Sequence, residues 1–207
     1  MAKAIEQAGY KLGEQCYIGI DAATSELYEN GKYVLKSEKR SLTANEMADV
    51  WDDLLKAYPI ISIEDPMSEE DWDNWVMVTK RLGSRVQLVG DDFFTSNPER
   101  VKRGIKVGAA NAVLIKPNQI GTLTETLETI RIAREAGYAC QPSSRSGEAE
   151  TPTVADIAVL PGCGQIKSGP PHLQSIGKYN RLLRIEEELG DKAVYAGKSV
   201  FKLLKQN

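Results

Sequence analysis

Short apolar runs recur along this chain, and six of them end in an ionisable residue. Gly19-Ile20 leads into Asp21, Ile61-Ser62-Ile63 into Glu64, and the run from Val86 to Gly90 into Asp91. Val113-Leu114-Ile115 then leads into Lys116, Cys140-Gln141-Pro142-Ser143-Ser144 into Arg145, and Gln165-Ile166 into Lys167. Apolar runs this short, bounded by polar residues, read as buried strands. Between them the pattern takes the helical period, with start and stop signals. Thr43 and Glu46 form a capping box before a helix over Ala44 to Ala57. Ser68 opens a helix that runs through Leu82 and stops at Gly83, and Asn97-Pro98 opens one that reaches Val107 and Gly108. Thr122 with Glu125 opens another that continues to Ala136 and Gly137. Thr151-Pro152 starts a shorter helix, and a last one covers Lys178 to Leu189 before Gly190. The stretch from Met1 to Gly9 reads as the end of an amphipathic helix, and Glu29-Asn30-Gly31-Lys32 as a hairpin turn joining Leu27-Tyr28 to Tyr33-Val34.

Strand, helix, strand at this spacing predicts an α/β fold with a parallel sheet, a single domain over residues 1–207. Six βα units fall short of the eight of a closed barrel, and an open doubly wound sheet competes with a barrel on the pattern alone. In either fold the C-terminal ends of the strands bind ligands. Three acids followed by three bases at those ends therefore matter more than any one of them.

Composition narrows the options. The formal net charge of the 207 residues is -3, with acids and bases interspersed, which gives no basic field for nucleic acid. No apolar run approaches the ~20 residues of a membrane span, and the N-terminus lacks the apolar stretch of a signal peptide. The expected location is the cytoplasm. Cys16, Cys140 and Cys163 are odd in number and lie in apolar contexts, as expected of buried free thiols.

Asp21, Glu64 and Asp91 offer oxygen ligands from three successive strands, a donor set that suits Mg²⁺. Any one of them alone reads as a helix cap or a loop acid; the recurrence favours a metal. Asp65 and Asp92 follow directly and either face outward or support the ligands from behind. Lys116 ends a strongly apolar strand, where desolvation and a nearby metal make a lysine usable as a base. Arg145-Ser146-Gly147 supplies a guanidinium fork, a hydroxyl and an open backbone for an anion, unless Arg145 pairs with Glu148 or Glu150. Lys167 aims a further cation at the same mouth. His172, in Pro170-Pro171-His172, reads as a surface residue, and Trp51, Trp72 and Trp75 read as packing residues. No phosphate loop and no Ser-His-Asp or Cys-His arrangement is evident. A metal triad with a lysine base describes removal of a proton next to a carboxylate, the metal stabilising the doubly charged enolate.

The segment Val113-Leu114-Ile115-Lys116-Pro117-Asn118-Gln119-Ile120-Gly121-Thr122-Leu123-Thr124-Glu125-Thr126 resembles the signature of the enolase family, phosphopyruvate hydratases. Gly19 to Glu26, Ser62-Ile63-Glu64-Asp65-Pro66, Gly90-Asp91-Asp92 and Thr95-Ser96-Asn97-Pro98 support it. So do Arg145-Ser146-Gly147-Glu148, Gly164 to Gly169, and Lys178 to Gly190. The resemblance implies the C-terminal part of an enolase-type (β/α)8 barrel, about six βα units, incomplete without an N-terminal half. It implies Mg²⁺ on Asp21, Glu64 and Asp91, with Glu64 also contacting substrate. Lys116 would accept the proton from carbon 2 of 2-phosphoglycerate. Arg145 and Ser146 would hold the phosphate and Lys167 the carboxylate, and loss of hydroxide from carbon 3 would give phosphoenolpyruvate. The expected partners are that small-molecule substrate and a second chain, in a homo-oligomer or with an N-terminal enolase half. The chain departs from the family at Ser144, where enolases carry a histidine. Pro142 also removes a ladder hydrogen bond from an expected interior strand, and Pro117 follows the base lysine. Two further readings remain: a lyase acting on a related phospho- or phosphono-carboxylate, and a non-catalytic protein that keeps the enolase fold.

Overall fold

A computed structural model of the protein describes residues 1–145, 152–170 and 173–201. Its elements, in chain order, are α1 (Ala2–Gln7), β1 (Ile18–Asp21), β2 (Tyr28–Glu29), β3 (Lys32–Leu35), β4 (Arg40–Leu42), α2 (Ala44–Ala57), β5 (Ile60–Glu64) and α3 (Trp72–Leu82). Then come β6 (Gln87–Gly90), α4 (Pro98–Val107), β7 (Ala112–Ile115), α5 (Pro117–Ile120), α6 (Leu123–Glu135), β8 (Ala139–Pro142), α7 (Thr153–Val159) and α8 (Leu173–Leu189). The chain divides into two units, Met1–Phe93 with Val107–Asn111, and Phe94–Lys106 with Ala112–Asn207. No helix among the described residues is long and apolar enough to cross a membrane.

In the first unit β5 lies between β1 and β6, all parallel. Ile20 pairs with Ile63 and Asp21 with Glu64; Ser62 pairs with Gln87, Ile63 with Leu88 and Glu64 with Val89. Successive side chains of a strand point to opposite faces. Ile63 and Leu88, both fully buried, therefore share one face with Ile20, while Ser62, Gln87, Asp21 and Glu64 share the other. On that second face Gln87 Nε2 donates to Ser62 Oγ at 3.4 Å. Parallel strands covered on both sides normally read as continuous apolar runs, so Ser62, Glu64 and Gln87 on this face are unusual for buried strands.

The helix signals mostly act as expected. Thr43 and Glu46 form the full capping box of α2, Asn97 Oδ1 accepts from the N–H groups of Glu99 and Arg100 at the start of α4, and Thr122 Oγ1 accepts from Glu125 N. The third helix starts later than Ser68. Ser68 is held in the preceding loop, its N–H donating to Tyr33 Oη and its carbonyl accepting from Trp75 Nε1, and Asp71 caps the helix instead. Trp75 is fully buried and stacks on Phe93 with centroids 4.2 Å apart; Trp51 and Trp72 are also buried. The hairpin forms through Asn30 and Gly31, both at positive φ, as a two-residue turn of this hand requires. A third strand, β4, joins it; two of its three residues are exposed, so it carries no apolar run to read.

In the second unit β7 and β8 pair in parallel from Ala112 with Ala139 to Ile115 with Pro142. Pro142 is the last strand residue, and Ser143 N resumes the bonding with Ile115 O at 2.8 Å. The proline is therefore tolerated at the strand's end rather than its middle. The sixth expected strand does not form: Gln165-Ile166-Lys167 is irregular, bracketed by Gly164 and Gly169 in left-handed conformations, although Lys167 N still donates to Pro142 O at 2.9 Å. Helix α8 begins five residues before Lys178, and α5 is a short helix directly after Lys116 with Pro117 in its first turn. Cys140 and Cys163 are buried free thiols, while Cys16 is half-buried. Ser146, Glu148, Glu150, Thr151 and His172 lie outside the described residues.

Asn111 ties the strand starts of the first unit. Its Nδ2 donates to Gly83 O and Val86 O at 3.0 and 3.1 Å, and its Oδ1 accepts from Leu88 N at 2.7 Å. Asn111→Asp, nearly isosteric, puts an acceptor against two carbonyls. We expect it to lower stability by about 2 kcal/mol in urea denaturation; an unchanged midpoint would contradict this role.

Candidate functional site

The acids at the strand ends of the first unit are organised around Asp65. This residue leaves β5 in a left-handed conformation, φ +44°, which is uncommon for a residue other than glycine and turns the chain sharply. Its N–H donates to Val89 O at 2.9 Å. Its carbonyl accepts from Thr24 Oγ1 at 2.9 Å and from Thr24 N at 3.2 Å. Its carboxylate accepts from Asp91 N on one oxygen and Asp92 N on the other, both at 2.9 Å. One residue thus binds the segments after β1, β5 and β6 together. Burial pushes the Asp65 carboxyl up to about 7, against the two backbone N–H groups, which favour its ionised form.

Asp21 and Glu64 stand opposite each other in register at the ends of β1 and β5. Asp21 is exposed, while Glu64 is only 4 % and Asp91 7 % exposed. The three acids whose carboxylate oxygens lie within 4.8 Å of one another are Asp65, Asp91 and Asp92, a group that could hold a metal ion. Asp91 belongs both to that group and to the trio expected from the sequence. All these donors are hard carboxylate oxygens, and taking several into a buried site is costly without a cation. The donor set fits Mg²⁺. The Asp65 carboxylate does not face outward: each of its oxygens is engaged by the backbone that carries Asp91 and Asp92.

The cations fall in the second unit, along the end of β7 and β8. Lys116 is 8 % exposed. Its N–H donates to Ser96 Oγ at 2.8 Å, and its carbonyl accepts from Gln119 N in the first turn of α5. Ser96 is fully buried at φ +53°, next to Thr95 at φ +51°. Its hydroxyl lies 3.1 Å from both Leu114 O and Gln119 Oε1, and its carbonyl accepts from Thr129 Oγ1 at 2.8 Å. Two consecutive non-glycine residues in this conformation store about 1–3 kcal/mol of strain each. The contacts of Ser96 are what hold that strain in place, and they hold the backbone of Lys116 with it.

Arg145 is exposed, with its N–H donating to Asn118 Oδ1 at 3.3 Å, and Lys167 is half-buried with its N–H on Pro142 O. Lys116, Arg145 and Lys167 are thus linked through the backbone of one strand-end edge, while Ser146 lies outside the described residues. The sequence reading passed over two residues here. Ser96 appeared only as part of the lead-in to α4, because a serine at positive φ has no sequence signal. The sequence pattern puts Lys178 at a helix start, whereas α8 begins earlier and places it in the second turn, buried and bonded to Ser144.

Parallel strands alternating with helices, with charged residues at the C-terminal strand ends, define an α/β fold. The family whose sequence model matches is described as enolase, C-terminal TIM barrel domain, over residues 1–204, and the chain belongs to it.

If Asp65 is the staple of the first unit, Asp65→Asn leaves one acceptor for two backbone donors and turns an amide N–H₂ toward the other. We expect a loss of roughly 1–3 kcal/mol in denaturant melts, present also in a chelator where no metal contributes. Unchanged stability in the chelator would show that the carboxylate serves a metal alone.

Proposed function

We propose that the protein serves the enolase reaction, the dehydration of 2-phospho-D-glycerate to phosphoenolpyruvate in glycolysis, as a cytoplasmic lyase. The observation that carries this reading is Lys116, a buried lysine at a strand end whose backbone is clamped by Ser96, in a chain that belongs to the enolase C-terminal domain family. Lys116 accepts the carbon 2 proton on Nζ as the C–H bond breaks, and hydroxide leaves carbon 3. Arg145 and Ser146 hold the phosphate, Lys167 the carboxylate, and Glu64 contacts the substrate. A Mg²⁺ ion held by Asp21, Glu64 and Asp91 would supply positive charge for the carboxylate as it takes on the electrons of the broken bond. The working form is an assembly, either a homo-oligomer or a complex with an N-terminal enolase half.

A second reading is favoured by Ser144, which stands where enolases have histidine and is bonded to Lys178. In it the protein is a lyase for a related phospho- or phosphono-carboxylate. Turnover of a phosphonate analogue without turnover of 2-phosphoglycerate would select that reading. Calorimetry showing no Mg²⁺ affinity would select a non-catalytic enolase-fold protein instead.

The test is the ultraviolet absorbance of phosphoenolpyruvate, followed with Mg²⁺ and 2-phosphoglycerate, with and without an enolase N-terminal half supplied in trans. Lys116→Ala should lower kcat by about 10²–10⁴-fold, the range of general-base catalysis. An unchanged rate would remove Lys116 from the role of base.

A further inference from the structure

Lys178 is a charged side chain in an unusual position. It lies in α8 and is only 9 % exposed. Its Nζ donates to Ser144 Oγ at 2.6 Å. Among the described residues that hydroxyl is its one hydrogen-bond partner, and no carboxylate lies within ion-pair distance of it. On the same helix Arg181 behaves as a structural cation should, bridging Asp156 and Glu188 at 2.7 and 2.9 Å. An ammonium has three donors and carries a full charge. Burying it on a single neutral hydroxyl is costly unless an anion completes the site.

The surroundings place this group at the strand-end edge. Ser144 follows β8 by two residues and directly precedes Arg145. On α8, Ser175 Oγ donates to Pro170 O and Tyr179 Oη to Gly169 O, so the helix face that carries Lys178 grips the segment just after Lys167. Because Ser144 accepts from the ammonium, its own O–H remains available to donate. The pair therefore offers an ammonium and a polarised hydroxyl, with a guanidinium residue next in the chain.

We infer that Lys178 and Ser144 form an anion subsite that takes a phosphomonoester, supplying a cation at the position where the family's histidine is replaced. A phosphate dianion suits this set better than a carboxylate, because it accepts from several donors in a tetrahedral arrangement and calls for more than one cation. The subsite rests on the enolase reading for the identity of its ligand, but its test does not need turnover.

The experiment is calorimetric titration of the 207-residue chain with inorganic phosphate, with acetate as the carboxylate arm and thermal melts in parallel. Lys178→Met should weaken phosphate binding by roughly 10- to 100-fold, as expected for a lost charge-assisted hydrogen bond. Lys178→Arg should restore most of it, and Ser144→Ala should weaken it in the same direction. Without phosphate, Lys178→Met should melt at the same temperature or higher, since a buried charge with no counter-ion among the described residues is removed. Absence of phosphate binding in the unsubstituted chain, unchanged affinity in Lys178→Met, or acetate binding as tightly as phosphate would each overturn the subsite. If Lys178→Met fails to fold, unchanged phosphate affinity in Ser144→Ala overturns it. Phosphate binding that depends on Lys178, in a protein inactive toward 2-phosphoglycerate, would instead uphold the subsite and sink the catalytic reading.

Discussion

The carboxylate of Asp65 is the constraint on which the acidic cluster of the first unit depends. Short carboxylates at the ends of separate strands do not hold themselves in place, because a loop that turns away from a strand has lost its ladder partners. Asp65 replaces those partners from one residue, using its N–H, its carbonyl and both side-chain oxygens on segments following three different strands. A left-handed turn at this position is tolerated because five hydrogen bonds fix it. The geometry of Asp91 and Asp92 is thus set by their backbones, before any ion is considered.

The second unit uses the same device with a different residue. Ser96 sits in a strained pair of left-handed residues, and its hydroxyl and carbonyl hold Lys116 and α6. In both units the residues that bear charge are positioned by a buried polar neighbour in an unusual backbone conformation. Strain of this kind persists only where the surroundings overdetermine it. Its location, directly after β5 at Asp65 and in the loop between β6 and α4 at Thr95-Ser96, agrees with a fold that keeps its chemistry at the C-terminal ends of strands.

Much of this was legible in the sequence. The strand runs ending at Asp21, Glu64, Asp91, Lys116 and Arg145 correspond to strands, because short apolar runs with polar stops leave few alternatives. The capping residues Thr43, Asn97 and Thr122 act as such because their chemistry is local. Failures arose where tertiary contacts override local signals. Ser68 resembles a helix cap but is taken by Tyr33 and Trp75, and Gln165-Ile166-Lys167 resembles a strand but lies between two left-handed glycines. The support given by Asp65, the clamp at Ser96 and the burial of Lys178 depend on backbone conformation and on partners distant in sequence. No pattern of residue types announces them.

The enolase reading depends on Lys116 removing a proton from the carbon next to a carboxylate. Exchange of the carbon 2 hydrogen of 2-phosphoglycerate in D₂O, followed by proton NMR in the Mg²⁺-loaded assembly, isolates that step from the loss of hydroxide. Deuterium is expected at carbon 2 with the unsubstituted chain and none with Lys116→Ala. Exchange that continues at the same rate in Lys116→Ala would contradict it.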